Sequence, residues 1–321
     1  MNTFILVLNY INKVKPLKRF TMKKLFSLLL LVTALSTLNA QKRIDIFTLA
    51  GNYNFMSSEY NNNNYEAAVM ANLVLPKVLK DSSIWYTSID YQYFSVNNDT
   101  TAVSRKDDFK LHGIIFRTGL IYKLSSNTNI QILFVPRYMT DFNASFSESL
   151  QLGGVFMFEK VKSSTYTYRV GVLYNQELFG PYVVPVFYLD WSITSKIKIT
   201  GLIPVYGKLY YQPNENISAG IHFIGLTTTY KIHEPGLENY YVDRRSIDLS
   251  LFTNVHLFDN LFIEARAGYS LTRDYGLFAE DDKITLGLPL VNIGDDRTRQ
   301  NNEFEGSPFV QVKLLYSLPI K

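Results

Sequence analysis

The 321-residue chain contains no cysteine. Disulfides, thiolate metal sites and lipid attachment through a cysteine are therefore excluded. Beyond residue 40 there is no apolar run of the ~20 residues that a membrane-spanning helix needs, so that region cannot cross a membrane as helices. An excess of basic charge is missing as well. The formal net charge is +4, but residues 1–40 hold six basic residues (Lys13, Lys15, Lys18, Arg19, Lys23, Lys24) and no acidic one. The remainder has 26 Lys+Arg against 28 Asp+Glu, a net charge of −2. No basic patch of the kind nucleic acid requires is left. Histidine is scarce, with only His112, His222, His233 and His256 to serve as general bases.

Aromatic residues are what the chain has in quantity, with 23 Tyr and 22 Phe. Tyrosine suits sites where one end of a side chain is apolar and the other wet, as at a membrane interface. The most informative run is 164–176. One face carries Tyr166, Tyr168, Val170, Val172 and Tyr174; the other carries Thr165, Thr167, Arg169, Gly171, Leu173 and Asn175. Side chains alternate between the faces of a strand, so this run is a strand with an aromatic-capped apolar face and a mostly polar face. Its length suffices for a tilted strand to cross a bilayer, which takes roughly 9–11 residues.

Met22, Lys23 and Lys24 open an export-signal pattern, continued by the apolar stretch Leu25–Leu35 and ended by Leu38-Asn39-Ala40. Residues 1–21 read as an upstream extension or extended n-region, 22–40 as a signal peptide, and 41–321 as one barrel domain. Strands are predicted at about 44–56, 65–76, 84–96, 108–123, 128–141, 148–160, 164–176, 182–193, 216–231, 245–257, 260–273 and 307–318. The connections alternate between tight turns (125–127, 162–164, 259–260) and longer polar segments (57–64, 97–107, 232–244, 274–306), as in barrels with short periplasmic turns and long outer loops. The stretch 196–212 alternates, but Pro204-Val-Tyr-Gly207 interrupts it. Two strands there would each be too short to span, so it is expected to be a periplasmic or lumen-inserted hairpin. The expected fold is an all-β, transmembrane, antiparallel up-and-down β-barrel of 12 strands, or 14 if that stretch joins the wall.

Charge on a lipid-facing strand position costs roughly 2–4 kcal/mol near the bilayer midplane. Alternation therefore directs Asp90, Gln92, Arg117, Arg137, Arg169, Asp190, Glu264 and Arg266 into the lumen. Ser270 and Thr272 share the face of Glu264 and Arg266. The mixed signs permit either an anion-selective lining or a network of internal ion pairs that fills the barrel, with the latter favoured by a narrow interior.

These features together resemble the Gram-negative outer-membrane β-barrels. Gly201-Leu-Ile-Pro204, Lys208-Leu-Tyr-Tyr211, Asn216 and Gly220 are similar to a segment of a barrel family of unknown function. The last strand, with Val310, Val312, Leu314, Tyr316 and Leu318 on one face, fits that likeness, although Pro319-Ile320-Lys321 replaces the common aromatic end. The resemblance implies the cell outer membrane, its lipid and the barrel assembly machinery as partners, and a monomer. It implies no cofactor, no metal, no nucleic acid and no catalytic residue. A passive channel or a small-solute or lipid-related transport component is the leading expectation. A blocked, surface-binding barrel and a lipid-modifying enzyme are the alternatives. The enzyme would need a Ser–His pair, and His256 with Ser250, Asn254 and Ser270 is the best candidate set. Asp281-Asp282 and Asp295-Asp296 offer hard oxygen ligands, but without metal-loop spacing the segment 274–306 reads as a solvated outer loop ordered by ion pairs.

Overall fold

The computed structural model describes residues 43–58, 61–97 and 108–319. The two leader segments and most of the 97–107 connection lie outside the described residues. The strands are β1 (Arg43–Ser58), β2 (Asn61–Val74), β3 (Lys77–Val78), β4 (Ile84–Asn97), β5 (Phe109–Ser125), β6 (Thr128–Thr140), β7 (Leu150–Ser163), β8 (Tyr166–Glu177), β9 (Gly180–Ser192), β10 (Ile197–Ile203), β11 (Tyr206–Asn214), β12 (Ile217–Ile232), β13 (Tyr240–Phe258), β14 (Leu261–Ala279), β15 (Leu286–Leu288), β16 (Val291–Ile293) and β17 (Ser307–Pro319). A single turn of helix, α1 (Phe146–Ser149), is closed by a capping box between Ser145 and Glu148.

Fourteen of these strands form one closed antiparallel wall, from β1 through β2 and β4 to β14, then β17. The last strand returns to the first, with Arg43 opposite Pro319 and Asn54 opposite Phe309. Every wall strand is paired with a neighbour on each side, as a β-structure in lipid requires, although the short β10 and β11 do so over only part of the height of β9 and β12. Outward side chains form an exposed apolar belt: Phe47, Leu49, Tyr53 and Phe55 on β1, for example, and Val310, Val312, Leu314 and Tyr316 on β17. The run around Tyr166 faces outward as its alternation implies. The rings of Tyr166 and Trp191 lie 6.0 Å apart and those of Tyr168 and Phe187 6.3 Å apart, across the β8–β9 pair.

The count of twelve is corrected to fourteen by β10 and β11. Both are built into the wall: β10 pairs with β9 from Lys198–Ser192 to Ile203–Phe187, and β11 pairs with β12 from Tyr206–Ile224 to Asn214–Ile217. They are short because their shared turn stops partway up the wall, where the Val205 carbonyl accepts from Gly225 N at 2.8 Å. A length criterion for a full crossing rejected them, yet a hairpin needs only its neighbours' edges for the height it covers. The paired glycines Gly201 and Gly207 permit this close turn: a Cβ on Gly201 would lie 2.5 Å from the Tyr206 carbonyl oxygen.

At the end bearing the long connections, β13 and β14 run further than the alternation indicated, whereas β12 ends within a residue of the expected 231. Thr228–Ile232, Tyr241–Arg244 and Tyr275–Leu277 are buried or nearly so on both faces. With no exposed face there is no period-2 signal, so the β13 and β14 stretches read as loop. The end of β12 leaves the wall and lies against β6, where Asp141 N donates to the Lys231 carbonyl at 3.1 Å. Gln151 Nε2 reaches the Thr229 carbonyl at 3.0 Å from β7. Met56, Phe94, Leu111, Met139, Tyr230 and Leu277, from β1, β4, β5, β6, β12 and β14, pack there into one buried apolar cluster, and Met157, Phe179, Tyr182, Val184 and Tyr241 form a second. The mouth at this end is filled.

The 274–306 segment is also corrected. β14 continues to Ala279, and the remainder is largely held in place. Its β15–β16 hairpin is joined to β9, with Gly287 beside Tyr182. Asp274 binds the Arg299 guanidinium through both oxygens (2.5 and 2.8 Å). Asp295 receives Arg297 Nε and Nη2, each at 2.8 Å, and this bonding holds its carboxyl below the usual range.

Candidate functional site

Beneath the filled mouth the inward positions carry charge at several levels. The first level centres on Glu66 of β2, which is fully buried. Its carboxylate accepts from Arg273 Nη1 (2.7 and 2.9 Å), Asn54 Nδ2 (2.9 Å), Asn52 Nδ2 (3.2 Å) and the Tyr275 hydroxyl. Arg244 Nη2 stands 3.5 Å from it, with its guanidinium 4.1 Å over the Phe94 ring. Arg273 also pairs with Asp248, which accepts from Ser270 Oγ. Two arginines thus meet two carboxylates, all four buried, where an unpaired charge would be costly.

The next level centres on Glu264 of β14. Lys208 Nζ donates to it at 2.8 Å, and Arg266 donates through Nε at 2.6 Å. Arg266 Nη1 points at the His222 ring, 2.9 Å from Nδ1. A guanidinium can only donate, so that ring nitrogen accepts. Lys313 stands directly opposite Glu264 across the β14–β17 pair and forms no ion pair among the described residues. Three cations therefore gather on one carboxylate, with Asp45 near the two lysines and Asp248 near Arg266. Between the two levels lies a cavity of about 180 Å³ whose lining includes Gln92, Arg244, Asp248, Arg266, Gln311 and Lys313.

The residues chosen from sequence do not gather into one site. Asp90 pairs with Arg117 on the next strand, and Arg169 pairs with Glu159 while stacking over Tyr188 at 4.4 Å. Arg137 donates to Glu177 at 2.7 Å and to Gln151 at 2.6 Å, near the filled mouth. Gln92 donates to the Tyr230 hydroxyl at 2.8 Å. Asp190 sits between Thr167 and Thr200 in the wall register. Only Asp90, Gln92 and Arg266 of the eight border the cavity.

Glu66, Arg244, Asp248, Arg273, Lys208 and Lys313 were missed. Glu66 and Lys313 were legible, each a lone charge at an alternating position of an expected strand. Arg273 was hidden by a bulge. The register passes from Ile247–Thr272 to Asp248–Ser270, so β14 carries one extra residue there. The extra residue reverses the faces beyond it. Thr272, expected inside, is exposed, and Arg273 is buried.

The candidate nucleophile set does not assemble. His256 faces Phe262 in register whereas Ser270 faces Asp248, so eight residues of β13 separate them along the strand. The His256 ring is occupied at the turn end by Asn216 Oδ1 (3.2 Å) and the Asp259 carbonyl (2.8 Å). Asn254 pairs with Glu264 in register, and Ser250 Oγ reaches the His222 carbonyl at 3.4 Å, not the ring. The acidic pairs of the long connection bind arginine and backbone: Asp295 holds Arg297, and Asp282 accepts from Thr298 N at 3.2 Å. Among the described residues no cluster has the composition of a metal site.

None of the curated proteins compared with the chain matches it. Among solved structures it is similar to the NanC porin (9% identity, 85% of this chain and 100% of that one, TM-score 0.36). It is also similar to a deletion mutant of the TodX monoaromatic hydrocarbon channel (11%, 90% and 93%, TM-score 0.40) and to a bacterial polysaccharide outer-membrane secretin (8%, 88% and 100%, TM-score 0.34). At these scores the likenesses bear on neither ligand nor activity. The model of a domain of unknown function, DUF6268, matches residues 61–284, most of the barrel wall, and the chain belongs to that family.

Proposed function

We propose that the protein is a monomeric outer-membrane barrel, inserted by the barrel assembly machinery, whose outer mouth is shut and whose lumen binds small anions. The long-connection end is taken as the outer end, as is usual for such barrels. The observation that carries the reading is the shared carboxylate: Lys208, Arg266 and Lys313 converge on Glu264 beside a cavity. Counting Arg244, Arg273, Lys208, Arg266 and Lys313 against Glu66, Asp248, Glu264 and the nearby Asp45, one positive charge is left over in a partly desolvated space, where a carboxylate or phosphate would be attracted more strongly than in water. The apolar cluster above the cavity favours a closed barrel over a permanently open passive channel. A transport role would then require the ends of β12–β14 to move. Titration of the refolded protein with inorganic phosphate tests the reading. Saturable binding, weakened at least tenfold in a Lys208→Met/Lys313→Met variant, is expected. Equal or absent binding in both proteins would sink it.

A further inference from the structure

The short β10–β11 hairpin leaves a notch in the wall. β10 accompanies β9 only from Ser192 to Phe187, and beyond that point β9 continues to Gly180 without it. The place beside β9 is taken by a piece of the long connection. Gly287 of β15 pairs with Tyr182, Ile284 N donates to the Phe179 carbonyl at 2.8 Å, and Lys283 Nζ reaches the Leu178 carbonyl at 2.5 Å. Gly287 permits this approach, because a Cβ there would lie 2.7 Å from the Tyr182 ring.

The hairpin has one face against Phe179 and Tyr182 and another that the described residues leave largely uncovered, Leu286 and Leu288 being half-buried. In the β15–β16 register Leu286 faces Ile293 and Leu288 faces Val291, so these four share the second face. Val291 and Ile293 are exposed, and Leu290 at the turn is 87% exposed. Leu290 also has φ +66°, a left-handed conformation that a residue with a Cβ adopts only at a cost. In water this position would combine backbone strain with an exposed leucine, although glycine or asparagine would serve the turn better. Residues 284–294 contain no charged side chain, while Asp281, Asp282, Lys283, Asp295 and Asp296 bracket them. The patch is continuous with the lipid belt: β15 joins β9, whose own outward residues Phe187 and Trp191 are exposed. Tyr182 is level with Asn175, next to the outward Tyr174 that caps the belt on β8.

We infer that the β15–β16 hairpin is seated in the outer leaflet of the membrane, its Leu286/Leu288/Leu290/Val291/Ile293 face buried among acyl chains while its other face completes the wall over the notch. The partner is the lipid layer itself. The inference rests on the outward belt being the lipid face, a premise the experiment checks separately.

Because the chain lacks cysteine, single sites can be labelled. Leu290→Cys, Asp296→Cys and Val312→Cys variants of the full chain, each carrying an environment-sensitive fluorophore, are placed in phosphatidylcholine vesicles with and without brominated acyl chains. The Val312 label, in the belt, reports whether the barrel is inserted. The expected result is strong quenching by brominated lipid at 312 and 290, and quenching by aqueous iodide at 296. Quenching at 312 but not at 290, with iodide reaching 290, would overturn the hairpin's seating and leave the barrel reading intact. Loss of lipid quenching at 312 as well would overturn the membrane premise, and the seating with it. All three positions are solvent-facing or lipid-facing, so folding is not at stake.

Discussion

Replacing Glu66 by Gln keeps the volume and removes one charge from the most enclosed part of the lumen. The carboxylate has four donor groups on it besides Arg244, namely Arg273, Asn52, Asn54 and the Tyr275 hydroxyl. After substitution Arg273 retains Asp248, but Arg244 loses its carboxylate and keeps only the Tyr275 hydroxyl at 3.0 Å, Ser246 and the Phe94 ring. Breaking a buried ion pair from one side costs about 3–5 kcal/mol. The Gln amide could donate to the Asn52 and Asn54 Oδ1 atoms, which have no partner among the described residues. That would return up to about 1 kcal/mol for each hydrogen bond made. A net loss of about 1–5 kcal/mol is therefore expected from these two contributions. The assay is reversible urea unfolding of the protein in lipid vesicles, followed by tryptophan fluorescence. A companion variant, Glu66→Leu/Arg244→Met, removes both partners and should recover most of the loss, since an apolar pair of similar size often matches a buried ion pair. A Glu66→Gln protein within about 0.5 kcal/mol of wild type, the range of a neutral surface change, would refute the reasoning.

Other outcomes follow from the same geometry. Gly201→Val should destabilise the barrel by about 1–3 kcal/mol, the usual cost of overpacking, because its Cβ would lie 2.5 Å from the Tyr206 carbonyl oxygen; unchanged urea unfolding would contradict the wall register of β10 and β11. Lys313→Met should leave stability unchanged or raise it, as it relieves repulsion in a cluster where cations outnumber carboxylates, while phosphate binding falls; marked destabilisation would show that Lys313 has a structural partner. Asp295 has its carboxyl held low by Arg297, so its contribution is complete above the unfolded value near ~3.9 and is lost as pH falls through the folded value. An acid-active protease should spare the 280–306 connection at pH 5 and cut it as the pH is taken below about 4; equal protection throughout would show that the Asp295–Arg297 pair does not order it.

Much of the wall was legible because a barrel strand in lipid must show its alternation openly. Phe47 to Phe55, Tyr166 to Tyr174 and Val310 to Tyr316 each declare one lipid face and one inner face. The signal fails wherever a strand is not two-faced. The start of β13 and the end of β14 are buried on both sides, so they read as loops. β10 and β11 alternate correctly but fail a length rule that applies to whole crossings. Arg273 was lost to a single bulged residue, which no periodicity argument detects. The charge cluster beside the cavity was least legible, because Lys313 meets Glu264 across the β14–β17 pair and Lys208 reaches it from β11, strands far apart in sequence. The apolar stretch 284–294 was plain in the sequence, but the charges on either side of it drew the reading towards a solvated loop.

Single-channel recording in planar bilayers tests the closed outer mouth most directly. Wild-type protein, inserted and folded, is predicted to give no steady conductance steps in potassium chloride at moderate voltage. Regular ohmic steps from protein that remains folded would contradict the filled mouth, and with it the proposal of a shut, anion-binding barrel.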